Sequence, residues 1–552
     1  MKPSQISKRQ ILISSVILTA LLSVPFFFGR LRFGADTTYH INRMIALSEA
    51  IRNHDFYPGI LFSQNYGYGY GSPLFYSIAF LYPAALLILA GLPPVLAYKG
   101  LILLLAFFSA CFMQRLTSRF TQNRLTLIFS AALYLLNNYY FSDIFYRGAL
   151  GEAMAFIFLP LLLDSIHRIL TEDNRSAYPQ LIVSFGGLLL SHNITFLFSV
   201  VLFAVFLLVN LKQLNRKKIL YIAISTVFTM MLTSFYLYPM LHHLSGGIYR
   251  VSHYINQEMG GEPLSALLYF SMEHIYVSSS CGLFLLLTPL FAFVFRKEPF
   301  LLQCGIFGSV LLLLCTNLIP WKYLGFLSVI QWPGRFMILV LPLFSLPGAL
   351  IPERLKKEKA LPILLAMLVC YTAFLDYGIY RTGGEIHDFD TPEELSDYFH
   401  YYPNSTVDFW YNSAELSTPD YLIQDAAISF PDVMRSVYRN EDHLIGEIRD
   451  SHYNYLSFTV QDSGTYCLPL SYYDGYTVQV FENGQYVTTL FPSLNTENGL
   501  LNVTIDAPVS NREYVVRYQR SKAEKACFAL SALSLVLLVF ITIQNQRKRS
   551  GN

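Results

Sequence analysis

Charge is scarce in this sequence. Only 14% of its 552 residues are Asp, Glu, Lys or Arg, against roughly a quarter in an ordinary soluble domain. This deficit excludes an ordinary cytoplasmic enzyme. The 39 basic and 37 acidic residues nearly cancel, which excludes both a nucleic-acid-binding surface of the usual basic kind and a disordered polyelectrolyte.

Cysteine, tryptophan and nucleotide-binding motifs are also sparse. The seven cysteines stand singly, without a CxxC pair, so neither a disulfide framework nor a zinc signature is indicated. There are 3 Trp beside 44 Phe and 39 Tyr. The sequence has no phosphate-binding loop and no Ser-His-Asp set, so direct use of a cytoplasmic nucleotide is not indicated.

Long apolar runs are abundant. Hydrophobic residues make up 53% of the chain and the mean hydropathy is +0.40. A helix needs about twenty residues to cross the hydrocarbon core. Suitable runs occur at residues 11–28, 95–113, 125–141, 153–169, 195–211, 219–238, 279–295, 301–316, 336–351, 361–376 and 526–543. The sequence therefore predicts a polytopic α-helical membrane protein.

Basic residues predict the orientation of these runs, because Lys and Arg collect on the cytoplasmic side. Basic clusters follow several runs, at residues 115–124, 168–175, 212–218, 296–297, 354–359 and 547–549. An even number of crossings must then separate neighbouring clusters, which requires a short span at residues 178–190. We expect about twelve crossings with both termini cytoplasmic. The apolar segment 74–89 does not fit this count and is predicted to be re-entrant or to lie at the outer interface.

The composition changes near residue 377. Residues 376–520 carry 22 acidic and 7 basic side chains, a net charge of −15, so the rest of the chain carries +17. Alternating runs predict strands at residues 453–461, 476–481, 486–490, 501–507 and 514–520, with a hairpin turn at 482–485. We expect a transmembrane domain at 1–376 with a long outer loop at about 30–94, an extracytoplasmic β-sandwich-like domain at 377–522, and a last helix with a basic tail at 523–552.

Polar candidates collect in the first outer loop. Asp36, His40 and Arg43 are spaced to share one helix face, and Tyr66 and Tyr68 lie in a glycine-tyrosine stretch. Asp36 is a candidate catalytic carboxylate, and the other four are candidate substrate-binding residues. A structural alternative is that Asp36 caps a helix and pairs with Arg43. The stretch at 66–71 is either a flexible aromatic wall or an ordinary interfacial loop.

Other outer loops supply further candidates. Arg147 is suited to bind a phosphate through two hydrogen bonds, and Glu152 to hold a metal or orient an acceptor hydroxyl. The structural alternative is an Arg-Glu pair that fixes the loop. Further candidate substrate-binding residues from the predicted outer loops are His192, Asn193, Gln331 and Arg335. The structural alternative for His192 is that its ring only packs in the protein interior. The alternative for Arg335 is that its side chain extends from the end of a span to place the charge at the membrane interface.

These motifs resemble a known family. The Gly-Tyr-Gly-Ser-Pro-Leu-Phe-Tyr, Tyr-Arg-Gly-Ala-Leu-Gly-Glu, Ser-His-Asn and Gln-Trp-Pro-Gly-Arg-Phe segments are similar to bacterial membrane proteins labelled 6-pyruvoyl-tetrahydropterin synthase-related. Those resemble YfhO-like members of the GT-C glycosyltransferase superfamily. The resemblance implies a GT-C-like fold, a bacterial plasma membrane location and an extracytoplasmic active site.

The resemblance also implies a reaction. It gives Asp36 the position of the first-loop catalytic carboxylate, and Arg147 with Glu152 the second-loop motif. The implied function is inverting transfer of a sugar from a polyprenyl-phosphate carrier to an envelope polysaccharide, teichoic acid or glycolipid. Metal-dependent members carry paired acids in the second loop, whereas here Glu152 stands alone, so a Mg²⁺ or Mn²⁺ ion held by Asp36 and Glu152 is left open. Alternatives are a polysaccharide or lipid-carrier transporter, or flippase, and a noncatalytic scaffold of envelope polymer assembly.

Overall fold

The computed structural model describes residues 8–28, 36–65, 67–172, 175–253, 259–272, 280–382, 420–424, 437–439, 445–506, 508 and 511–550. Its α-helices are Lys8–Phe28, Thr37–Arg52, Ser72–Phe75, Tyr82–Leu89, Pro94–Thr117, Arg124–Leu135, Asn138–Phe141, Leu150–Ala155, Phe158–Thr171, Ala177–Ser191, Asn193–Val209, Arg216–Ser245, Leu264–Met272, Leu283–Leu286, Pro299–Leu314, Met337–Arg354, Leu361–Thr382 and Lys522–Ser550. Ser142–Arg147 is a π-helix. The 3₁₀-helices are Leu211–Gln213, Arg250–His253, Thr288–Phe295, Trp321–Tyr323, Gly325–Ile330, Pro333–Phe336 and Glu358–Ala360.

Five helical segments of the described chain are long and apolar enough to cross a membrane: Pro94–Thr117, Leu150–Thr171, Arg216–Ser245, Pro333–Arg354 and Lys522–Asn545. Arg124–Leu135, Ala177–Ser191, Asn193–Val209 and Pro299–Leu314 are apolar but shorter. The expected hairpin is present, because the two helices on either side of His192 meet at that residue. The count of about twelve crossings stays a prediction.

Two predicted spans are interrupted rather than continuous. Residues 125–141 form two helices because Asn137 stops the first one. Its side-chain carbonyl accepts a hydrogen bond from the Tyr140 N–H at 3.0 Å, which caps the second helix. Residues 279–295 contain a four-residue α-helix, Leu283–Leu286, followed by the 3₁₀-helix Thr288–Phe295. Hydropathy cannot detect such breaks when the capping residue lies in an apolar run.

The apolar segment that did not fit the crossing count consists of two short helices, Ser72–Phe75 and Tyr82–Leu89. The longer one has eight residues, which is about 12 Å of helix. Neither helix is long enough to cross the hydrocarbon core.

The helical bundle has two chemically different ends. The segment Leu150–Thr171 begins beside Glu152 and ends beside Arg168, and Pro333–Arg354 begins beside Arg335 and ends at Arg354. At the second end, Arg119 Nε lies 2.9 Å from Asp164 Oδ1. A 22-residue helix separates the two ends by about 33 Å. The predicted site residues Glu152 and Arg335 therefore lie opposite the predicted cytoplasmic arginines.

The described residues of the C-terminal domain form nine strands: β1 (Val437–Arg439), β2 (Ile445–His452), β3 (Tyr455–Thr459), β4 (Gly464–Ser471), β5 (Tyr476–Glu482), β6 (Gln485–Leu490), β7 (Ser493–Leu494), β8 (Leu500–Ile505) and β9 (Arg512–Tyr518). They pair in one continuous order, β6-β5-β9-β3-β2-β1-β4-β8-β7, and the pairs are antiparallel. The five expected strands correspond to β3, β5, β6, β8 and β9. The predicted hairpin turn is confirmed, with Asn483 at φ 49° and Gly484 at φ 78°, as a type I′ turn requires.

This sheet differs from a sandwich of two separate sheets, since the strand order is unbroken. Side chains from both halves of the order nevertheless share one core. Leu456 and Val478 come from one half, and Leu468 and Leu501 from the other. The sheet therefore folds over its own core in a sandwich-like manner.

The first loop and the sheet domain pack together. Ile60, Tyr70 and Phe75 of the loop lie in the same hydrophobic cluster as the strand residues. Gly71 allows this contact, because a Cβ added there would lie 2.4 Å from the Tyr473 ring. The Ser471 N–H also donates to the Tyr68 carbonyl at 2.8 Å.

Candidate functional site

The first and second loops meet at Asp36. The backbone N–H of Asp36 donates to the Arg147 carbonyl at 2.7 Å. Gly148 has φ +66°, and a Cβ there would lie 2.1 Å from Thr37 Oγ1. Gly148, directly after Arg147, therefore permits the close approach of the two loops.

Glu152 is the centre of a buried network. Its carboxylate accepts hydrogen bonds from Tyr139 Oη at 2.6 Å and from Arg147 Nη2 at 3.1 Å, and Arg335 Nε lies 3.5 Å away. The Glu152 side chain is only 2% exposed. Glu152 thus holds two guanidinium groups in place, as the structural alternative for the Arg147–Glu152 pair proposed.

Asp143 is a member of this network that the sequence did not reveal. Its Oδ1 lies 2.6 Å from Arg147 Nη1, and the pair sits at i and i+4 in Ser142–Arg147. Burial and the adjacent Glu152 raise the pKa of Asp143 well above its usual range. Asp143 precedes the loop at 146–153, in which Glu152 is the only acid, and adds a second carboxyl to the network. The i, i+4 spacing from Arg147 is the signal that would have identified Asp143.

Arg335 carries hydrogen-bonding capacity that the described residues leave unused. Its Nε and Nη1 are buried, and neither has a hydrogen-bond partner among the described residues. The ion pair with Glu152 is too long to be a hydrogen bond. The side chain is 13% exposed. A buried guanidinium with two free donors is a suitable partner for an anionic ligand.

Trp332 completes this part of the cluster. The ring of Trp332 lies 5.7 Å from the Arg147 guanidinium carbon, in cation–π geometry. Gly334 is needed for this arrangement, because a Cβ there would lie 1.6 Å from the Trp332 ring. The Gln-Trp-Pro-Gly-Arg-Phe motif therefore places one aromatic ring and one cation beside Arg147.

The Asp36 carboxyl lies within electrostatic reach of these cations. Burial raises its pKa above the usual range, while the charges of Arg147 and Arg335 oppose this rise and those of Glu152 and Asp420 add to it. Asp36 is half-buried and occupies the N-cap position of Thr37–Arg52, but its side chain makes no capping hydrogen bond to that helix. The capping alternative is therefore wrong. A carboxyl with a raised pKa is a stronger base once it is ionised.

His192 belongs to the same cluster, because the charges of Glu152, Arg335 and Arg147 act on it. Burial lowers the pKa of His192 to about 3, so the ring is neutral at physiological pH. Its Nδ1 lies 2.7 Å from Thr195 Oγ1. His192 therefore offers hydrogen bonding and no charge.

Other predicted site residues make structural contacts. Arg43 is fully buried, and its Nη2 donates to the carbonyls of Tyr76 and Ser77 at 2.8 and 2.9 Å, so the structural alternative in which it pairs with Asp36 is wrong. Asn193 accepts a hydrogen bond from Tyr236 Oη at 2.9 Å. These two residues fix the loop that joins the short helices and the turn at His192. Their part in substrate binding stays a prediction.

The remaining predicted site residues differ in solvent exposure. His40 is 2% exposed, and burial with the Arg43 charge lowers its pKa well below the usual range. Tyr68 is buried, and its carbonyl accepts a hydrogen bond from the Ser471 N–H of the sheet domain. Gln331 is exposed, with φ 68°. Tyr66 lies outside the described residues.

A metal does not fit this donor set well. Among the described residues, no three His, Cys, Asp or Glu side chains are grouped so as to hold a metal ion. Glu152 already accepts hydrogen bonds from an arginine and a tyrosine, and Asp143 is paired with Arg147. Metal chelation by Glu152 would require these contacts to break.

The fold and the site together define a helical membrane protein with a buried ionic cluster at one end of its bundle and a C-terminal sheet domain. The sequence profile of the 6-pyruvoyl-tetrahydropterin synthase related domain family, described as a membrane protein, matches residues 74–378. Because this is more than half of the chain, the protein belongs to that family. The resemblance seen in its motifs is confirmed.

Comparison with known proteins adds three likenesses. An uncharacterized protein of Lactococcus lactis subsp. cremoris (strain MG1363) is 25% identical over 339 residues, which cover 56% of this chain and 53% of the relative. The chain thus spans about half the length of that relative. A cryo-EM structure of the arabinofuranosyltransferase AftD from mycobacteria gives a TM-score of 0.48 at 14% identity, covering 73% of this chain and 29% of AftD. A mutant AftD structure gives 0.45 at 15% identity, covering 72% and 30%. Likenesses of this size do not establish a shared fold.

Proposed function

We propose that this protein is a membrane glycosyltransferase that moves a sugar from a polyprenyl-phosphate carrier to an acceptor hydroxyl outside the cytoplasm, with inversion. The observation that carries the proposal is that Arg335, whose buried guanidinium has two donors without a partner among the described residues, acts electrostatically on the half-buried carboxyl of Asp36. The Asp36 carboxyl is suited to accept a proton, and the Arg335 guanidinium is suited to bind a phosphate.

In the proposed reaction, ionised Asp36 takes the proton of the acceptor hydroxyl as its oxygen attacks the anomeric carbon. The bond between that carbon and the phosphate oxygen breaks, and the electron pair leaves with the polyprenyl phosphate. Arg335 and Arg147 stabilise the negative charge that develops on the leaving phosphate. A single displacement of this kind inverts the anomeric centre.

Glu152 takes a positioning role in this scheme. It was a candidate catalytic residue, but its carboxylate is 2% exposed and its oxygens contact two arginines and a tyrosine. It therefore orients the cations instead of transferring a proton. We propose that the two arginines supply the positive charge that a divalent metal supplies in metal-dependent enzymes.

The rival functions are less well supported. A noncatalytic scaffold gives no reason for Asp36 and Glu152 to lie within electrostatic reach of each other, as they do. A transporter needs ionisable groups near the middle of the membrane. Glu152 and Arg335 instead lie within three residues of the starts of their segments.

The test uses the purified chain in lipid nanodiscs with radiolabelled undecaprenyl-phosphate sugars and isolated cell-envelope fractions as acceptor. Asp36→Asn should lower transfer at least about 100-fold, whereas the control Glu49→Gln, on the same helix, should keep it. Mass spectrometry of envelope glycans with and without the gene should show the loss of one sugar substituent. Retained transfer by Asp36→Asn would remove Asp36 from its role.

A further inference from the structure

A short segment before the sheet domain passes close to Asp36. We call residues 420–424 the strap. Backbone hydrogen bonds of 2.8–3.0 Å join it to residues 248–251: Val251 to Asp420, Arg250 to Leu422 and Gln424 to Ile248. The strap therefore has a fixed backbone position at the C-terminal end of the long helix Arg216–Ser245.

Tyr421 anchors the strap between the first loop and the sheet domain. Its ring stacks on Phe75 at 5.1 Å and 10°, and its carbonyl accepts a hydrogen bond from Tyr473 Oη at 2.8 Å. Tyr421 and Tyr39 pack against the same hydrophobic cluster. Since Tyr39 lies three residues after Asp36, the strap packs against the same cluster as the Asp36 end of the first-loop helix.

The charge of Asp420 acts on this region. It raises the pKa of both Asp36 and Tyr39. Asp36 therefore experiences both the positive charges of Arg147 and Arg335 and the negative charge of Asp420. Sequence analysis did not single out Asp420, because it lies some 380 residues further along the chain.

We propose that Asp420 is an acceptor-positioning residue, and that the strap restricts the acceptor to uncharged or cationic polyhydroxyl glycans. This inference rests on the proposed glycosyltransferase function. A carboxylate accepts hydrogen bonds from neighbouring hydroxyl groups of a sugar. A second carboxylate beside the base also repels a phosphate-rich acceptor such as a teichoic acid.

The first test measures placement and needs no substrate. Dicyclohexylcarbodiimide reacts with protonated carboxyls, so the pH dependence of Asp36 labelling, read by peptide mass spectrometry, reports its ionisation. Arg147, Arg335, Glu152 and Asp420 are the described charges that act on Asp36. Asp420→Asn removes one negative charge and should shift half-labelling to lower pH by about half a unit or more.

Matched variants make this result specific. Asp462→Asn makes the same chemical change at an exposed position of the sheet domain and should leave the labelling curve unchanged. Asp420→Glu keeps the charge and should stay close to the wild-type curve. Identical curves for wild type and Asp420→Asn would overturn the placement of Asp420.

The second test measures the acceptor. With an undecaprenyl-phosphate sugar as donor, Asp420→Asn should raise the KM for a neutral oligosaccharide acceptor about tenfold and change kcat little. Its discrimination against a glycerol-phosphate oligomer should also weaken. An unchanged acceptor KM would overturn the positioning role. If Asp420→Asn shifts the labelling curve but the wild-type protein transfers no sugar, the placement of Asp420 is supported. The proposed function, and the acceptor role that rests on it, are then overturned.

Discussion

Replacing Glu152 by glutamine separates its two suggested roles. The change keeps the size of the side chain and removes its charge. In the native protein that charge faces two guanidinium groups, Arg147 at 3.1 Å and Arg335 at 3.5 Å, and a tyrosine hydroxyl at 2.6 Å. If Glu152 positions the arginines, its loss should appear first in stability.

The expected magnitude follows from burial. Removing one partner of a buried ion pair costs about 3–5 kcal/mol, because the remaining charge is left uncompensated. Asp143 still pairs with Arg147, so the lower end of this range applies. In a chain of this length, about 3 kcal/mol corresponds to a fall of roughly 3–6 °C in the unfolding midpoint, extrapolated from the size dependence of smaller domains.

The assay is thermal unfolding in nanodiscs followed by tryptophan fluorescence, with sugar transfer measured in parallel. Glu298→Gln is the matched control, since Glu298 pairs with Arg354 at 2.8 Å at the other end of the bundle but is 34% exposed. Its effect should stay within about 1 kcal/mol. Glu152→Gln should keep part of the transfer activity, in contrast to Asp36→Asn. Wild-type stability combined with complete loss of transfer would refute the positioning role and restore Glu152 as a catalytic residue.

Three further predictions follow from the same contacts. Arg335→Gln should raise the KM for the lipid-phosphate donor at least about tenfold, because it removes one charged hydrogen-bond donor; inhibition by undecaprenyl phosphate should weaken in parallel, and an unchanged inhibition constant would contradict the assignment. The transfer rate should fall as the pH is lowered through the raised pKa of Asp36, because only the ionised carboxylate accepts a proton; a rate that stays constant down to about pH 4 would argue against Asp36 as the base. Gly71→Ala should loosen the sheet domain, since the new Cβ would lie 2.4 Å from the buried Tyr473 ring. Limited proteolysis measures this, and Gly100→Ala, where a Cβ meets nothing within 4 Å, should leave the digestion pattern unchanged.

Sequence patterns predicted those features that depend on local residues. The turn at His192, the Asn483-Gly484 hairpin and five strands each follow from short motifs or alternation. The gathering of Arg147, Glu152 and Arg335 was also predictable, because all three lie next to the ends of apolar runs. Charged groups near span ends on one side of a membrane must lie at similar depth.

Other features depend on contacts that no local pattern encodes. Asp143 lies in an aromatic stretch, and its importance follows from the π-helical turn that directs it to Arg147. Asn137 ends a helix through its side chain, whereas the hydropathy averaged over this segment is dominated by the apolar residues around it. The strand β4 contains Pro469 and begins at a glycine, which weakens its β signal, although its pairing with β8 is extensive.

The shared core of the first loop and the sheet domain has a consequence for biogenesis. Ile60, Tyr70 and Phe75 emerge from the ribosome early, but their packing partners, such as Tyr473 and Tyr476, follow some 400 residues later. Until the final strands have been synthesised, that apolar surface has no finished cover. The protein thus completes this shared core last, and a version shortened before residue 437 should be a target for quality-control proteases even though most of its apolar helices are present.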